Sequence, residues 1–280
     1  MTRQIRIVHH TGYSYADPVV GSHNEVRMTP RSSREQWVLS SRIDIAPSPW
    51  VLSYTDYWGT KVTAFEIRER HSRLGVTSTA TVEVTRAPEP APGATWAELH
   101  DDALADAQVE MLAVSEHVDP GQELRTFAAG VAREASPAET VDAVIDRIRE
   151  RVRYVPGVTH VRTRARDVWE AGAGVCQDMV HVAIGALRSV GIPARYVSGY
   201  LMPSSNPVPG EARSAESHAW LQYWDGAWVG LDPTNDSEPG EWHVEVGIGR
   251  DYSDVPPLRG IYSGGGSSEM YVDVEMTVLP

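Results

Sequence analysis

The single cysteine of the chain, Cys176, stands where the sequence predicts the start of a helix. Gly172 and Gly174 precede it and permit a tight turn. An apolar stripe with helical spacing follows one turn later and comprises Val180, Ala183, Ile184 and Leu187. Unpaired N–H groups at a helix start favour a thiolate and can hold an oxyanion, so Cys176 is a candidate nucleophile. The alternative is a cysteine that packs as a small apolar residue.

A thiolate that transfers acyl groups needs a histidine as base and a third group that orients the imidazole. His218 is near the start of the strand-like run SHAWLQYW, and Asp232 lies near the end of the next run, AWVGLDP. A turn centred near Gly226 would place residue 218 opposite about residue 233, which brings the Asp232 carboxylate beside the imidazole. Turn capping before Pro233 is the alternative for Asp232. The predicted proximity of His218 and Asp232 favours the catalytic interpretation.

The other histidines are weaker candidates for the base. His181 lies five residues after Cys176 on the predicted helix, about 140° around its axis, and is interpreted as a packing or supporting residue. Two histidines fall in a predicted first strand, and five more have no evident partner in the sequence: His9 and His10, then His71, His100, His117, His160 and His243.

The elements that must position these residues fall into two regions. Residues 1–86 alternate apolar and polar residues as antiparallel strands do, in the runs QIRIVH, SRIDIAP, KVTAFEIRE and VTSTATVEV. Residues 87–93, APEPAPG, have the composition of a semi-rigid linker and predict a domain boundary. Residues 94–280 predict helices followed by an antiparallel sheet. The expected fold class is therefore α+β.

Helical spacing is present in TWAELHDDALADAQVEML, in GQELRTFAAGVARE and in the run that begins at Ser136. That last helix has the clearest start, with Ser136 as N-cap, Pro137 at the first helical position and Glu139 closing a capping box. The helix of Cys176 is expected to end at GIP, residues 191–193. The runs ARYVSGYL, SHAWLQYW and AWVGLDP then predict the antiparallel sheet.

Composition excludes several classes of protein. With 280 residues, 41% hydrophobic and 22% charged, the chain has the make-up of a soluble globular protein. A net charge of −13 argues against binding nucleic acid or anionic membranes. No window approaches the ~20 apolar residues of a membrane span, and no signal-peptide pattern is present. One cysteine cannot form an intramolecular disulfide, so a cytoplasmic location is expected.

Three blocks resemble the bacterial transglutaminase-like family: GVCQDMVHVAIGALRSVGIPARYVSGYL, SHAWLQYWDGAWVGLDPTND and GRDYSDVPPLRGIYSGGG. The N-terminal region resembles the β-rich region that accompanies this family. The resemblance implies a papain-like core packed on an antiparallel sheet, with Cys176 as nucleophile, His218 as base and then acid, and Asp232 as orienting group. Met179 stands where an aromatic residue is common, a departure that concerns packing more than chemistry.

The implied reaction is attack of the thiolate on an amide carbonyl of a peptide or protein, which gives a thioester and an amine that His218 protonates. Hydrolysis of the thioester is favoured over transfer to an amine, because transfer needs an acceptor site that excludes water and none is visible in the sequence. The alternatives are a true protein-glutamine amine transferase and a non-catalytic protein-binding scaffold that retains the fold. A redox sensor is disfavoured because no resolving cysteine exists.

The N–H of Cys176 is one expected oxyanion donor, and Tyr154 is a candidate for the other. Gln177 and Asp178 fall on the first helical turn, where Asp178 is expected to partner the helix dipole or accept a hydrogen bond. No cofactor is expected. No HExxH, CxxC or EF-hand pattern indicates a metal site.

The polar segment SSNPVPGEARSAE, residues 204–216, leads into the strand of His218. It is predicted to form a lid over the cleft, with a plain surface connection as the alternative. Trp220, Trp224 and Trp228 are predicted to pack in the interior rather than to form a substrate platform. The oligomeric state is not indicated.

Overall fold

The computed structural model describes residues 2–86, 93–204 and 206–280. The strands in these ranges are β1 (Arg3–Val19), β2 (Gly21–Val26), β3 (Gln36–Ala46), β4 (Trp50–Thr55), β5 (Lys61–Ile67), β6 (His71–Val84), β7 (Arg153–Tyr154), β8 (Ala173–Gly174), β9 (Ala194–Leu201), β10 (Ala212–Ala215), β11 (Ser217–Trp224), β12 (Trp228–Leu231), β13 (His243–Gly249), β14 (Leu258–Ser263) and β15 (Ser268–Val278). The helices are α1 (Trp96–Leu99), α2 (Asp102–Ala107), α3 (Val109–Leu112), α4 (Gly121–Val131), α5 (Pro137–Arg151), α6 (Ala165–Ala171) and α7 (Cys176–Arg188), with a short 3₁₀ turn over Tyr252–Asp254.

The described strands form three antiparallel sheets and one short parallel pair. The five-stranded sheet has the order β10-β15-β1-β6-β3, the outer sheet β14-β2-β5-β4 and the central sheet β12-β11-β9-β13. Strands β7 and β8 pair in parallel. Helices and antiparallel sheets therefore occupy separate parts of the fold, and the predicted α+β class is confirmed.

The central sheet lies between two apolar interfaces. On one, helix α7 packs against β9 and β11 around buried residues such as Ile184 and Leu221, and α4, α5 and α6 pack around α7. On the other, β9 and β13 contact the five-stranded sheet through residues such as Tyr200 and Val274. Complete burial of each aliphatic side chain of this size contributes about 1.5–3 kcal/mol relative to exposure. Both interfaces therefore hold the strand of His218 in place.

Helix α5 begins as the sequence predicts. The Ser136 hydroxyl accepts a hydrogen bond from the Glu139 N–H at 3.3 Å, and the Glu139 carboxylate accepts one from the Ser136 N–H at 2.8 Å. The predicted stripe of Val141, Val144, Ile145 and Ile148 is buried. The two halves of a capping box are both present, so the start of α5 is confirmed.

The helical spacing predicted for TWAELHDDALADAQVEML corresponds to three short helices, α1 to α3. The Asp101 carboxylate accepts hydrogen bonds from the N–H groups of Ala103 and Leu104, which starts a new helix in the middle of the segment. None of the helices in the described ranges is long and apolar enough to cross a membrane.

The sheets combine strands from both sides of the predicted domain boundary. Strand β15 pairs with β1 along most of its length, and β14 pairs with β2. Residues 87–92 of the predicted linker lie outside the described residues, so a division at this point stays a prediction. Strands that follow the linker nevertheless complete two sheets that begin before it.

Gly199 in β9 allows a close approach between strands that a larger residue would prevent. An ideal Cβ at this position would lie 2.1 Å from the carbonyl oxygen of Val244 and 2.6 Å from the buried ring of Trp220. We expect Gly199→Ala to lower the free energy of unfolding by about 1–3 kcal/mol, because neither backbone nor buried indole can give way freely. Urea denaturation measures this loss.

The matched control is Gly130→Ala in α4, where nothing lies within 4 Å of an added Cβ. This variant is expected to gain about 0.5–1 kcal/mol from the better helix propensity of alanine. Equal stability changes in the two variants would contradict the role assigned to Gly199.

Candidate active site

Two glycines shape the approach to Cys176. Gly172 ends α6 in the left-handed region with φ of +65°, which glycine adopts without strain. A Cβ on Gly174 would lie 2.8 Å from the Cβ of Asp178, so the chain can fold back onto α7 only at a glycine. The predicted turn is present, and α7 begins at Cys176.

Asp178 holds the start of α7 in place. Its Oδ2 accepts hydrogen bonds from the Val175 N–H at 2.8 Å and from the Thr159 hydroxyl at 2.6 Å. Burial raises the pKa of Asp178, against the lowering effect of these two hydrogen bonds. The first hydrogen bond of the helix runs from the Asp178 N–H to the Val175 carbonyl. The N–H groups of Cys176 and Gln177 precede that bond and are free to face an oxyanion.

His218 and Asp232 are hydrogen-bonded, with the imidazole Nε2 donating to Oδ2 of the carboxylate at 2.6 Å. The hairpin register differs by one residue from the prediction. Leu221 pairs with Leu231 and Trp224 with Trp228, so the ladder extended to residue 218 reaches residue 234 rather than 233. Asp232 lies just past the end of β12, where it makes an isolated bridge with Ser237.

The Asp232 carboxylate serves the turn and the imidazole at the same time. Its Oδ1 accepts from the N–H groups of Thr234 and Asn235, at 3.0 and 3.2 Å. Its Oδ2 accepts from His218 and from the side-chain amide of Asn235, at 2.8 Å in the second case. The two alternative roles predicted for Asp232, turn capping and contact with His218, are thus divided between its two oxygens.

The charged forms of His218 and Asp232 stabilise each other. Burial lowers the pKa of His218, but hydrogen bonds to Asp232 and Cys176 and the charges of these groups outweigh it and raise the pKa to about 9. Burial raises the pKa of Asp232, but hydrogen bonds from His218 and His243 outweigh it and hold that pKa well below its usual range. Because Nε2 faces Asp232, Nδ1 is the ring nitrogen left for the Cys176 thiol. The arrangement therefore favours the imidazolium form of His218.

His243 is a member of the site for which the sequence showed no partner. Its Nε2 lies 3.3 Å from Oδ2 of Asp232, and its Nδ1 accepts a hydrogen bond from the Gly240 N–H at 3.1 Å. The bond from Gly240 places the ring proton on Nε2, so His243 donates to Asp232. Burial, and to a smaller extent the charge of His218, lower the pKa of His243. It was missed because β13, which it opens, was not predicted from the sequence.

The remaining predicted residues lie close to the candidate triad but in different roles. Tyr154 is about half exposed and pairs across from Gly174 in the β7–β8 ladder. Burial and the charges of Cys176 and Glu216 raise the pKa of Tyr154, and Tyr154 and Cys176 line the same cavity. Gln177 lines the same cleft. Oxyanion contacts from Tyr154 and Gln177 stay predictions.

His181 faces away from the candidate triad, in the interior. Its Nε2 accepts a hydrogen bond from the Tyr252 N–H at 3.1 Å, and its ring packs 5.2 Å from that of Tyr196. Burial lowers the pKa of His181 to about 3, so it stays neutral at physiological pH. These contacts agree with its interpretation as a supporting residue.

Trp220 is fully buried and packs on the histidines of the site. Its ring stacks on His218 with 6.2 Å between centroids and meets the edge of His243 at 5.2 Å. Trp224 and Trp228 pack edge to face, 5.5 Å apart. Trp220 thus packs in the interior as predicted, whereas Trp224 and Trp228 are only half-buried, and none of the three lines the two cavities beside Cys176 and His218.

Two adjoining cavities form the cleft. One, of about 370 Å³, contains Cys176, and the other, of about 580 Å³, extends past His218 to Asn235. Strand β15 contributes Val272 and Val274 to the first cavity. The predicted lid needs correction, because its residues 212–215 form β10 and pair with β15, which makes them part of a fixed wall. Residue 205 of that segment lies outside the described residues.

Comparison with known proteins agrees with this fold. Residues 5–83 match the bacterial transglutaminase-like N-terminal region, and residues 125–233 match the transglutaminase-like superfamily. The chain belongs to the bacterial transglutaminase-like family. A relative from Mycobacterium leprae, named as an uncharacterized protein, is 42% identical over 99% of both chains.

Two further proteins are similar to the present chain, over different shares of its length. A Cytophaga hutchinsonii crystal structure, provisionally assigned as a cysteine protease, has a TM-score of 0.78 at 21% identity and covers 100% of this chain and 92% of its own. A protein-glutamine gamma-glutamyltransferase of Pseudomonas aeruginosa is 32% identical over 76 residues, 26% of this chain and 11% of its own. The first similarity shows the fold.

Met179, which the resemblance placed at a position where an aromatic residue is common, lies in the interior. The side chain is buried in the helical core, and the Thr234 hydroxyl approaches its sulfur at 3.9 Å. This contact joins α7 to the turn that follows Asp232. Met179 therefore has a packing role, and its departure from the family preference stays a prediction.

The raised pKa of His218 predicts how Cys176 reacts with iodoacetamide. Below pH about 9 the imidazolium is present and stabilises the thiolate, and above that pH it loses its proton. We expect wild-type protein to be alkylated at least tenfold faster than His218→Ala at pH 7, with the ratio approaching one above pH 9. Alkylation rates measured across pH 5–10 test this, and a ratio independent of pH would contradict it.

The hydrogen bond from His243 to Asp232 predicts a second effect, on the pH profile of Cys176 alkylation. Loss of a hydrogen bond to a charged group costs about 1.5–3 kcal/mol, so His243→Ala is expected to lower the free energy of unfolding by about that amount. With one donor fewer on Asp232, the alkaline midpoint set by His218 should also rise above its wild-type value.

His243→Gln keeps an N–H donor and is expected to restore most of the stability and the wild-type midpoint. Thermal unfolding of both variants measures the change in stability. A midpoint that is unchanged in His243→Ala would show that His243 only packs.

Proposed function

We propose that the protein is a cysteine-dependent enzyme that hydrolyses amide bonds of a peptide or protein through a thioester. The observation that carries the proposal is the hydrogen-bonded His218–Asp232 pair, with a raised His218 pKa, at the cleft that contains Cys176. The fold, shared with a provisionally assigned cysteine protease, supports the same class of chemistry. The expected cytoplasmic location and peptide substrate belong to this proposal.

In the proposed reaction, the Cys176 thiolate attacks the amide carbonyl and forms a tetrahedral intermediate. The N–H of Cys176, at the free start of α7, stabilises the negative charge on oxygen. His218 gives its proton to the departing amine as the C–N bond breaks and the thioester remains. His218 then takes a proton from water, whose oxygen attacks the thioester and releases the acid and the thiolate.

The open cleft supports water as the second nucleophile. Tyr154, Glu216 and Ser217 line it and are exposed, so solvent reaches the region beside His218. Transfer to an amine is the second candidate, favoured by the partial similarity to the Pseudomonas glutamyltransferase. It requires the amine to compete with water at the thioester.

Incubating the enzyme with a peptide library in heavy-oxygen water, together with a labelled primary amine, separates the two outcomes. We expect heavy oxygen in the new carboxyl group, little incorporation of the amine, and neither product with Cys176→Ala. Mass spectrometry reads both labels in one sample.

The single lysine of the chain allows a matched control. Lys61→Arg removes the only lysine amine of the enzyme, so self-modification cannot compete with the labelled amine. Amine incorporation that exceeds hydrolysis in this variant would overturn the preference for water. Absence of any product that depends on Cys176 would overturn the enzymatic proposal.

A further inference from the structure

The two cavities of the cleft share one charged residue besides the candidate base. Both are lined by Tyr154, Ala215, Glu216, Ser217 and His218. Among the described residues that line either cavity, Glu216 is the only Asp, Glu, Lys or Arg. A substrate that spans the cleft therefore meets one fixed negative charge and no fixed positive one.

The position of Glu216 is set by strands on both sides of it. The preceding residue, Ala215, pairs with Val274 of β15, and the following residue, Ser217, pairs with Tyr200 of β9. Glu216 is thus the one-residue connection between the five-stranded sheet and the central sheet. Its backbone cannot swing away from the cleft without breaking one of these ladders.

The Glu216 carboxylate is not neutralised by a neighbouring cation. No ion pair joins it to another residue in the described part of the chain, whereas nearby Arg213 is paired with Glu211 at 3.0 Å. The charge of Glu216 contributes to raising the pKa of Tyr154, so its field extends across the mouth of the cleft. An exposed, unpaired carboxylate is available to a ligand.

Glu216 lies beside the residues that would act on the reacting amide bond. The acyl group is held at Cys176, in the first cavity, while the amine that departs is protonated by His218, which lines both cavities. Glu216 is two residues from His218 and also lines both. A side chain next to the reacting amide lies within reach of this carboxylate.

We propose that Glu216 selects substrates that carry a positively charged side chain, arginine or lysine, next to the reacting amide. This inference rests on the proposed function, since it names the substrates of the same cleft. A cation there gains a favourable interaction with Glu216, and an acidic side chain is repelled.

The test uses peptide chloroacetamides, which alkylate Cys176 without requiring amide hydrolysis. Three reagents differ at the residue next to the reactive group, which is arginine, its neutral analogue citrulline, or glutamate. For wild-type protein we expect the arginine reagent to react roughly fourfold faster than the citrulline reagent, and the glutamate reagent roughly fourfold slower. Molar salt should reduce both differences, because it screens charges beyond a few ångströms.

Variants of Glu216 test whether this residue causes the preference for a positive charge. Glu216→Gln is expected to bring the three rates within about twofold of each other, and Glu216→Arg to reverse their order. Glu134→Gln is the control, because Glu134 is exposed, lines neither cavity and changes the net charge by the same amount. Its rates should match the wild type.

Equal wild-type rates for the three reagents, or an order that survives in Glu216→Gln, would overturn the inference. The matched amide peptides then separate it from the proposed function. If the reagents keep their order while no peptide is hydrolysed, the charge preference stands and the proposed hydrolysis fails. If peptides are hydrolysed without any charge preference, the proposed hydrolysis stands and the role of Glu216 in selecting substrates fails.

Discussion

The buried carboxylate of Asp232 is the interaction on which the candidate site depends. An ionised group with no exposed surface is strongly unfavourable unless hydrogen bonds replace its water. Here the bonds come from the turn after β12, from His218 on β11 and from His243 on β13. Three segments must meet at one carboxylate, so the order of strands in the central sheet and the position of the base are linked.

The central sheet joins two halves that contribute different parts of the cleft. Its helical side supplies Cys176 at the start of α7, and its own strand β11 supplies His218. The five-stranded sheet supplies the opposite wall through β10 and β15. Strands β1, β6 and β3 of the N-terminal region complete this sheet and so support the wall that β10 and β15 form.

Local signals account for what could be predicted from the sequence. The glycines before Cys176, the capping box at Ser136 and the hairpin around Gly226 each act over a few residues, so their consequences were visible. His243 and β15 depend on pairings between distant segments, and nothing near them in the chain marks those partners. The register error of one residue has a local origin, since the observed pairs are symmetric about Gly226 itself, with Trp224 opposite Trp228.

The place of β15 in the five-stranded sheet bears on how the protein matures. During synthesis, Cys176, His218 and Asp232 all leave the ribosome before β15 does, and domains begin to fold as they emerge. Until β15 inserts between β1 and β10, the wall containing Val272 and Val274 does not exist. A nascent chain can thus hold the Cys176 thiol beside the His218 imidazole before the groove that would bind a polypeptide has formed. The reactive groups then assemble before a substrate can bind to them.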